Sequence, residues 1–254
     1  MKKILTLALA AMLLLGMTTT AFAASTNLDN GTKSADLGVQ AVYHAEGNDD
    51  ATISVEISWT GLNFTYNGGT QIWDASAHKY VTDTPGGWAA SDATITITNH
   101  SDTILQAGLH FTAEDDFDDI DMIFSAKAPY LGSAYTDKNG GEACAVTIAL
   151  IPDGTLAETI TESTAIGTIT VSVLPVIGKT PRDISSELAL RYLEMAEQSP
   201  TRRGDVYLKD QIALDNIGTA LGVMDDPSLT EETELNAALN DVITAFYNGL
   251  AIKQ

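Results

Sequence analysis

The stretch WTGLNFTYNGGTQIWDASAHKYVTDTPGGW, residues 59–88, contains all three tryptophans of the chain. Short alternating runs within it are interrupted by Asn-Gly-Gly at 67–69, Asp-Ala-Ser at 74–76 and Pro-Gly-Gly at 85–87. Turn-forming residues at such intervals are typical of consecutive β-hairpins. The stretch therefore predicts antiparallel strands, and we expect neighbouring strands to pack on its aromatic side chains.

The same alternation continues on both sides of this stretch. In TISVEISW, residues 52–59, every second side chain is apolar, which is the pattern of a half-buried strand. Similar runs occur at 37–43 (LGVQAVY), 62–66, 78–82, 93–99, 104–112, 120–127, 144–151 and 166–174. No strong helical pattern lies between them. They predict an all-β sandwich of immunoglobulin-like architecture over residues 37–174.

The pattern changes after residue 174. Residues 175–183, with two prolines and one glycine, predict a linker. Residues 184–252 then show apolar side chains at steps of three and four, which predict three helices packed as a small all-α three-helix bundle. We place the second helix at about 205–223. The third is the best defined, with Thr230 as its N-cap and an apolar stripe formed by Leu235, Leu239, Val242, Phe246 and Leu250.

The N-terminus predicts export. Residues 1–23 combine two lysines, a short apolar run and Ala-Phe-Ala at 21–23, as secretory signal peptides do. Residues 24–36 are small and polar and predict a flexible arm. We therefore expect a secreted, extracellular protein that is able to associate with the cell surface, without membrane insertion after signal cleavage. The formal net charge of −21 disfavours nucleic acid as a partner, because phosphates require Lys and Arg.

Two resemblances accompany these patterns. The motifs FTY (64–66), WDASAHKY (73–80), GW (87–88) and TITNHSD (96–102) resemble those of small exported β-sandwich proteins of Gram-positive bacteria of the gut Firmicutes type. That group has no assigned activity, so the resemblance implies a fold and a location. The segment VMDDPSLTEETELNAALNDVITAFYNGL (223–250) resembles a FIVAR module, a three-helix unit of bacterial surface proteins. FIVAR modules accompany adhesive and carbohydrate-active domains, which implies a spacer or a weak binder.

Four aromatic residues are candidates for ligand binding: Tyr66, Trp73, Tyr80 and Trp88. Exposed Trp and Tyr side chains can stack on sugar rings, because they combine an apolar ring face with a polar tip. The alternative is that these side chains lie in the core, as aromatic residues at alternating positions usually do. We expect Trp88 to be the most exposed, since it follows Pro-Gly-Gly.

The acidic run at 114–121 is a weak calcium candidate through Asp115, Asp116, Asp118, Asp119 and Asp121. Calcium requires several oxygen ligands at short range. The run lacks the glycine and the terminal glutamate of an EF-hand loop. The alternative is a solvated turn with Phe117 and Ile120 facing inward. The sequence indicates no cofactor and no other metal site.

No catalytic motif is present. The four histidines occur without G-x-S-x-G, H-E-x-x-H or a Gly-rich phosphate loop. We expect His100 to shape a turn and the single cysteine, Cys144, to be a small buried hydrophobe. The sequence thus predicts a non-catalytic exported binding or adhesion module for a glycan or cell-wall polymer. The alternative is a structural or assembly component of the bacterial cell surface, in contact with other surface proteins and without a small-molecule ligand.

Overall fold

The computed structural model describes residues 53–137, 141–156 and 163–254. The predicted signal peptide, the arm and the run at 37–43 lie outside the described residues. Within the described ranges the chain is mostly β-strand, in several sheets, and has three helices. This confirms the prediction of a strand-rich region followed by helices.

All strand pairs in the described ranges are antiparallel. The strands are β1 (Val55–Thr60), β2 (Tyr66–Asn67), β3 (Thr70–Asp74), β4 (Lys79–Thr84), β5 (Gly87–Trp88), β6 (Thr94–Asn99), β7 (Leu105–Ala113), β8 (Ile120–Phe124), β9 (Tyr130–Leu131), β10 (Cys144–Gly154), β11 (Gly167–Pro175), β12 (Val206–Leu208) and β13 (Leu250–Ile252). They form a four-stranded sheet in the order β1-β6-β10-β8, a three-stranded sheet in the order β11-β7-β9, and the pairs β2-β5, β3-β4 and β12-β13.

The two larger sheets contribute their apolar faces to one hydrophobic cluster. Ile95 and Ile97 of β6 and Ile148 of β10 come from the first sheet, and Leu109 and Phe111 of β7 come from the second. Burial alternates along β6, β7 and the first half of β10, as the sequence pattern predicts. The core therefore lies where the alternation places the apolar side chains.

A buried asparagine holds the connection between β6 and β7. Asn99 is inaccessible to solvent. Its amide nitrogen donates hydrogen bonds to the carbonyls of Thr103, at 2.9 Å, and Gly132, at 2.8 Å. Its amide oxygen accepts from Ser101 N at 2.9 Å. This side chain, rather than the neighbouring exposed His100, shapes the turn that the sequence assigned to the histidine.

The helices are α1 (Pro181–Ala196), α2 (Gln211–Met224) and α3 (Glu232–Gly249). A capping box between Thr180 and Asp183 starts α1. Helix α2 begins at Gln211, later than predicted, because β12 pairs with β13 just before it. Helix α3 has Glu231, not Thr230, at its N-cap position. No helix in the described ranges is long and apolar enough to cross a membrane.

Helix α3 lies against β10 and the residues after β9 through a polar stripe with a period of four. Its members are Asn236, Asn240, Thr244 and Asn248. Asn248 Oδ1 accepts a hydrogen bond from Thr147 N at 2.7 Å, and Asn240 Nδ2 donates to Ser133 O at 2.8 Å. Asn236 Nδ2 donates to Tyr135 O at 3.0 Å. These side-chain amides form hydrogen bonds with backbone groups that lack a partner strand. They lie beside the first half of β10, which does not pair with β8.

The apolar face of α3 belongs to the same hydrophobic cluster as the strands. Leu239, Val242 and Phe246 are buried in it, together with side chains of β6 and β10. Each helix also contacts the other two. The helices therefore bury apolar surface against the sheets as well as against one another, and the division of the chain at 175–183 stays a prediction.

Candidate functional site

The hairpin of β3 and β4 carries the most exposed of the four candidate aromatic residues. Trp73 and Tyr80 are cross-strand partners, and they are 54% and 65% exposed. Their ring centroids lie 5.3 Å apart and their planes meet at 69°. This is the edge-to-face arrangement that aromatic pairs favour. The structure thus brings two predicted site residues together on a surface open to solvent.

The other face of this hairpin is apolar as well. Ile72, which pairs with Val81, is 51% exposed. Sequence reasoning did not single out Ile72, although the signal was present. Adjacent Ile72 and Trp73 break the alternation, so both faces of β3 carry a large apolar side chain.

The side chain of Asp74 stabilises the turn between β3 and β4 through hydrogen bonds to the backbone of the turn. Asp74 Oδ1 accepts hydrogen bonds from Ser76 N at 2.8 Å and Ala77 N at 3.0 Å. His78 follows in the left-handed region with φ of 52°. Asp and His tolerate such turn geometry better than most residues. The turn fixes the register that places Trp73 opposite Tyr80.

The other two candidates form a separate, half-buried pair. Tyr66 and Trp88 are cross-strand partners of β2 and β5, with ring centroids 5.1 Å apart and planes at 81°. Trp88 Nε1 donates a hydrogen bond to Gly154 O at 3.0 Å, and its ring packs against the core. The expectation that Trp88 is the most exposed candidate was therefore wrong. The bond to the end of β10 draws the indole inward, whereas Trp73 lacks such an anchor in the described contacts.

The acidic run forms a short 3₁₀ helix, Asp115–Phe117, followed by a turn into β8. Phe117 packs against the core and Ile120 is buried, as the alternative interpretation expected. In the described ranges no three His, Cys, Asp or Glu side chains are grouped so that they could hold a metal ion. The five aspartates of the calcium candidate are thus not gathered around a common point.

The described histidines and the cysteine occupy unrelated positions. His78 lies in the β3–β4 turn, and His110 is exposed on β7. His100 Nε2 lies 3.5 Å from Glu56 Oε2 at the surface. Cys144 is buried, and burial raises the pKa of its thiol, so it is protonated at neutral pH.

A cluster of polar groups that the sequence did not reveal joins β9 to α1. Tyr130 OH donates to Glu187 Oε2 at 2.7 Å and accepts from Lys179 Nζ at 2.7 Å. Lys179 also forms an ion pair with Glu187. The Lys179 ammonium, then the Tyr130 hydroxyl, holds the pKa of Glu187 below its ordinary value. Tyr130 lies 49 residues before Lys179 and 57 before Glu187, so no local pattern signals this cluster.

A cavity of about 230 Å³ lies beside this cluster and is lined in part by Gln106, Leu190 and Arg191. The cluster ties the predicted linker to both a strand and a helix. It acts as a structural contact, because its charged groups satisfy one another.

No protein-family model matches the chain, and no curated protein or solved structure is significantly similar to it. The resemblances to exported Gram-positive proteins and to FIVAR modules therefore stay predictions.

Proposed function

We propose that the chain is an exported, non-catalytic binding or adhesion module that recognises a glycan or cell-wall polymer through the β3–β4 hairpin. The observation that carries this proposal is the exposed pair of Trp73 and Tyr80. Burying large aromatic side chains normally stabilises a fold, so two of them left open at one place favour a ligand surface. Sugar rings present the apolar C–H face that such side chains stack on.

The angle between the two rings limits the shape of the ligand. Planes that meet at 69° cannot both lie flat on one planar surface. They fit a single sugar ring held in the corner, or a chain that bends at this point. The hairpin therefore favours soluble or flexible glycans over flat crystalline polysaccharide.

Polar groups beside the rings are suited to sugar hydroxyls. Gln71 and Thr82 are cross-strand partners, and both are exposed. They form the next pair along the face that carries Trp73 and Tyr80. An amide and a hydroxyl both donate and accept hydrogen bonds. The rings supply the apolar surface of the site. Gln71 and Thr82 add polar groups at fixed positions, which give such sites their specificity.

The test is a glycan array on the purified protein, followed by calorimetric titration of the best ligand. Trp73→Ala and Tyr80→Ala should each weaken binding by about tenfold or more, which corresponds to about 1.4 kcal/mol. Ile72→Ala, on the opposite face of the same hairpin, is the matched control and should bind as the wild type does. If the wild-type protein binds no glycan on the array, the proposal is wrong.

The proposed architecture is an immunoglobulin-like sandwich of the two larger sheets, followed by a three-helix, FIVAR-like module at the surface of a bacterial cell. Both larger sheets contribute buried side chains to one hydrophobic cluster, which supports face-to-face packing of the two sheets. The pairwise contacts among α1, α2 and α3 support the bundle. The signal-like residues 1–23 support export. Retention of residues 1–23 in protein recovered from outside the cells would contradict the last point.

A second candidate is an assembly component of the cell surface, favoured by an exposed apolar pair on α1. Leu190 and Leu193 are 64% and 62% exposed and lie three residues apart on one helix face. Sedimentation analysis tests this role. If the pair joins partners or copies, association should disappear in Leu190→Asp and persist in Glu194→Gln. A protein that sediments as a monomer and binds a glycan supports the first candidate instead.

A further inference from the structure

Strand β11 is a long edge strand without the usual protection. It covers nine residues, Gly167–Pro175, at one end of the sheet β11-β7-β9. Its sequence, GTITVSVLP, contains no charged residue, and its proline is the last position. Edge strands are normally blunted by charges, bulges or covering segments. In the part of the chain that the structure describes, no strand pairs with the second edge of β11.

The hydrogen-bond register shows which backbone groups lie on that edge. Val176 N donates to Ile104 O at 2.9 Å, and Glu114 N donates to Ile166 O at 3.1 Å. In an antiparallel ladder the bonded pairs recur at every second residue. The even-numbered residues of β11 therefore bond to β7, and the N–H and C=O groups of Ile169, Val171 and Val173 point away from it.

The hydrophobic core is open along the same edge. Ile169 and Val171 are only half-buried, although their partners on β7, Phe111 and Leu109, are buried. Strand β1 is also an edge strand, yet its inward side chains Ile57 and Trp59 are buried. An additional strand beside β11 would cover the apolar side chains that β11 leaves half-exposed.

The ends of the strands show how the chain reaches this edge. Ser54, just before β1, donates its N–H to Ser101 Oγ at 2.9 Å. The turn that contains Ser101 leads to Ile104, which accepts from Val176 just after β11. Strand β1 therefore begins at the end of the molecule where β11 finishes.

We propose that residues Leu37–Tyr43 add a strand to the free edge of β11 in the same molecule. This segment, LGVQAVY, is uncharged and alternates, with Leu37, Val39, Ala41 and Tyr43 on one face. The nine residues at 44–52 reach about 30 Å when extended. Packed sheets lie about 10 Å apart, so this length is sufficient. The shortest path places Tyr43 near Pro175, so the added strand runs parallel to β11.

The test is residue-resolved amide hydrogen exchange on the full chain. In the wild type we expect the amides of Ile169, Val171 and Val173 to exchange about 100-fold more slowly than unstructured peptide amides. Val39→Asp, which places a carboxylate against the apolar edge, should speed their exchange about tenfold or more. Gln40→Asp adds the same charge on the opposite face and is the matched control; it should leave the rates unchanged.

The amides of Ile97 and Ile148, in the central strands β6 and β10, report whether each variant is folded. If Val39→Asp proves unfolded, a variant without residues 37–43 replaces it, and a synthetic peptide of that sequence should restore protection. Fast exchange of the three β11 amides in the wild type would overturn the proposal. Protection that rises with protein concentration would also overturn it, since a second copy would then occupy the edge.

Discussion

At the scale of single residues, the buried side-chain amide of Asn99 requires hydrogen-bond partners for both its nitrogen and its oxygen. Asn99→Ala removes the donor to the half-buried carbonyl of Thr103 and the buried carbonyl of Gly132, and the acceptor for Ser101 N. Leaving such groups unpaired costs about 1–3 kcal/mol each, so we expect a loss of at least about 2 kcal/mol in unfolding free energy. Urea denaturation measures it. His100→Ala, next in the chain and exposed, should stay within about 0.5 kcal/mol of the wild type. Equal effects of the two variants would contradict the assignment.

A second residue-scale prediction concerns pH. The pKa of Glu187 is held below its ordinary value of 4.5 by Lys179 and Tyr130. A lowered pKa in the folded state means that the ionised carboxylate stabilises the fold above about pH 4.5, and that this contribution is lost as pH falls through the lowered pKa. Lys179 and Glu187 are both exposed to solvent, so water screens their attraction and the contribution is small.

Melting temperatures between pH 3 and pH 7 measure this contribution. The difference between the wild type and Glu187→Gln should be largest at neutral pH and vanish at the acidic end. Glu194→Gln, on the same helix, should follow the wild-type curve throughout. A difference that is constant with pH would show that Glu187 acts through packing alone.

At the scale of elements, the polar stripe of α3 covers an edge of β10. Asn248→Ala removes the acceptor of the Thr147 amide, and we expect a loss of about 1–3 kcal/mol. Hydrogen exchange of the Thr147 amide should accelerate more than that of Ile148, which lies next to it. Asp241→Ala, on the exposed face of α3, is the control and should change neither quantity. An unchanged Thr147 amide in Asn248→Ala would show that another group covers this edge.

Elements with long patterns were predictable from the sequence, and short or non-local ones were not. Alternation located β6, β7, β10 and β11 because burial of one sheet face leaves a period of two. Strands β12 and β13 have three residues each, too few to show a period, and their pairing joins segments more than 40 residues apart. Leu250 falls in register with the apolar stripe of α3, so the periodicity predicts it as helical, but it belongs to β13.

The candidate site was predictable only in part for the same reason. The sequence predicted the turn at 74–76, which places Trp73 and Tyr80 on the paired strands β3 and β4. The hairpin turns predicted at 67–69 and 85–87 were wrong, because β2 pairs with β5 and not with β3. A period of two shows which side chains share a face, but not whether another element covers that face. The covering of Trp88 depends on Gly154, which is 66 residues away, so its exposure was misjudged.

At the scale of the whole molecule, the shared hydrophobic cluster predicts that strands and helices unfold together. If the chain divides at 175–183, as the sequence predicts, truncating Phe246 should unfold the helices and spare the strands. Phe246 is 1% exposed and lies in the cluster that also contains Ile97 and Ile148. Phe246→Ala should therefore cost about 3–5 kcal/mol and lower a single transition in which both parts unfold.

Circular dichroism at helix- and strand-sensitive wavelengths, together with calorimetry, follows that transition. Both signals should change at one temperature in the wild type and at one lower temperature in Phe246→Ala. Val223→Ala, an exposed apolar truncation on α2, is the control and should shift the transition little. Two separate transitions, with only the helical one lost in Phe246→Ala, would mean that the contact of α3 with β10 contributes little to stability. The helices would then be an independent module, as the division at 175–183 predicts.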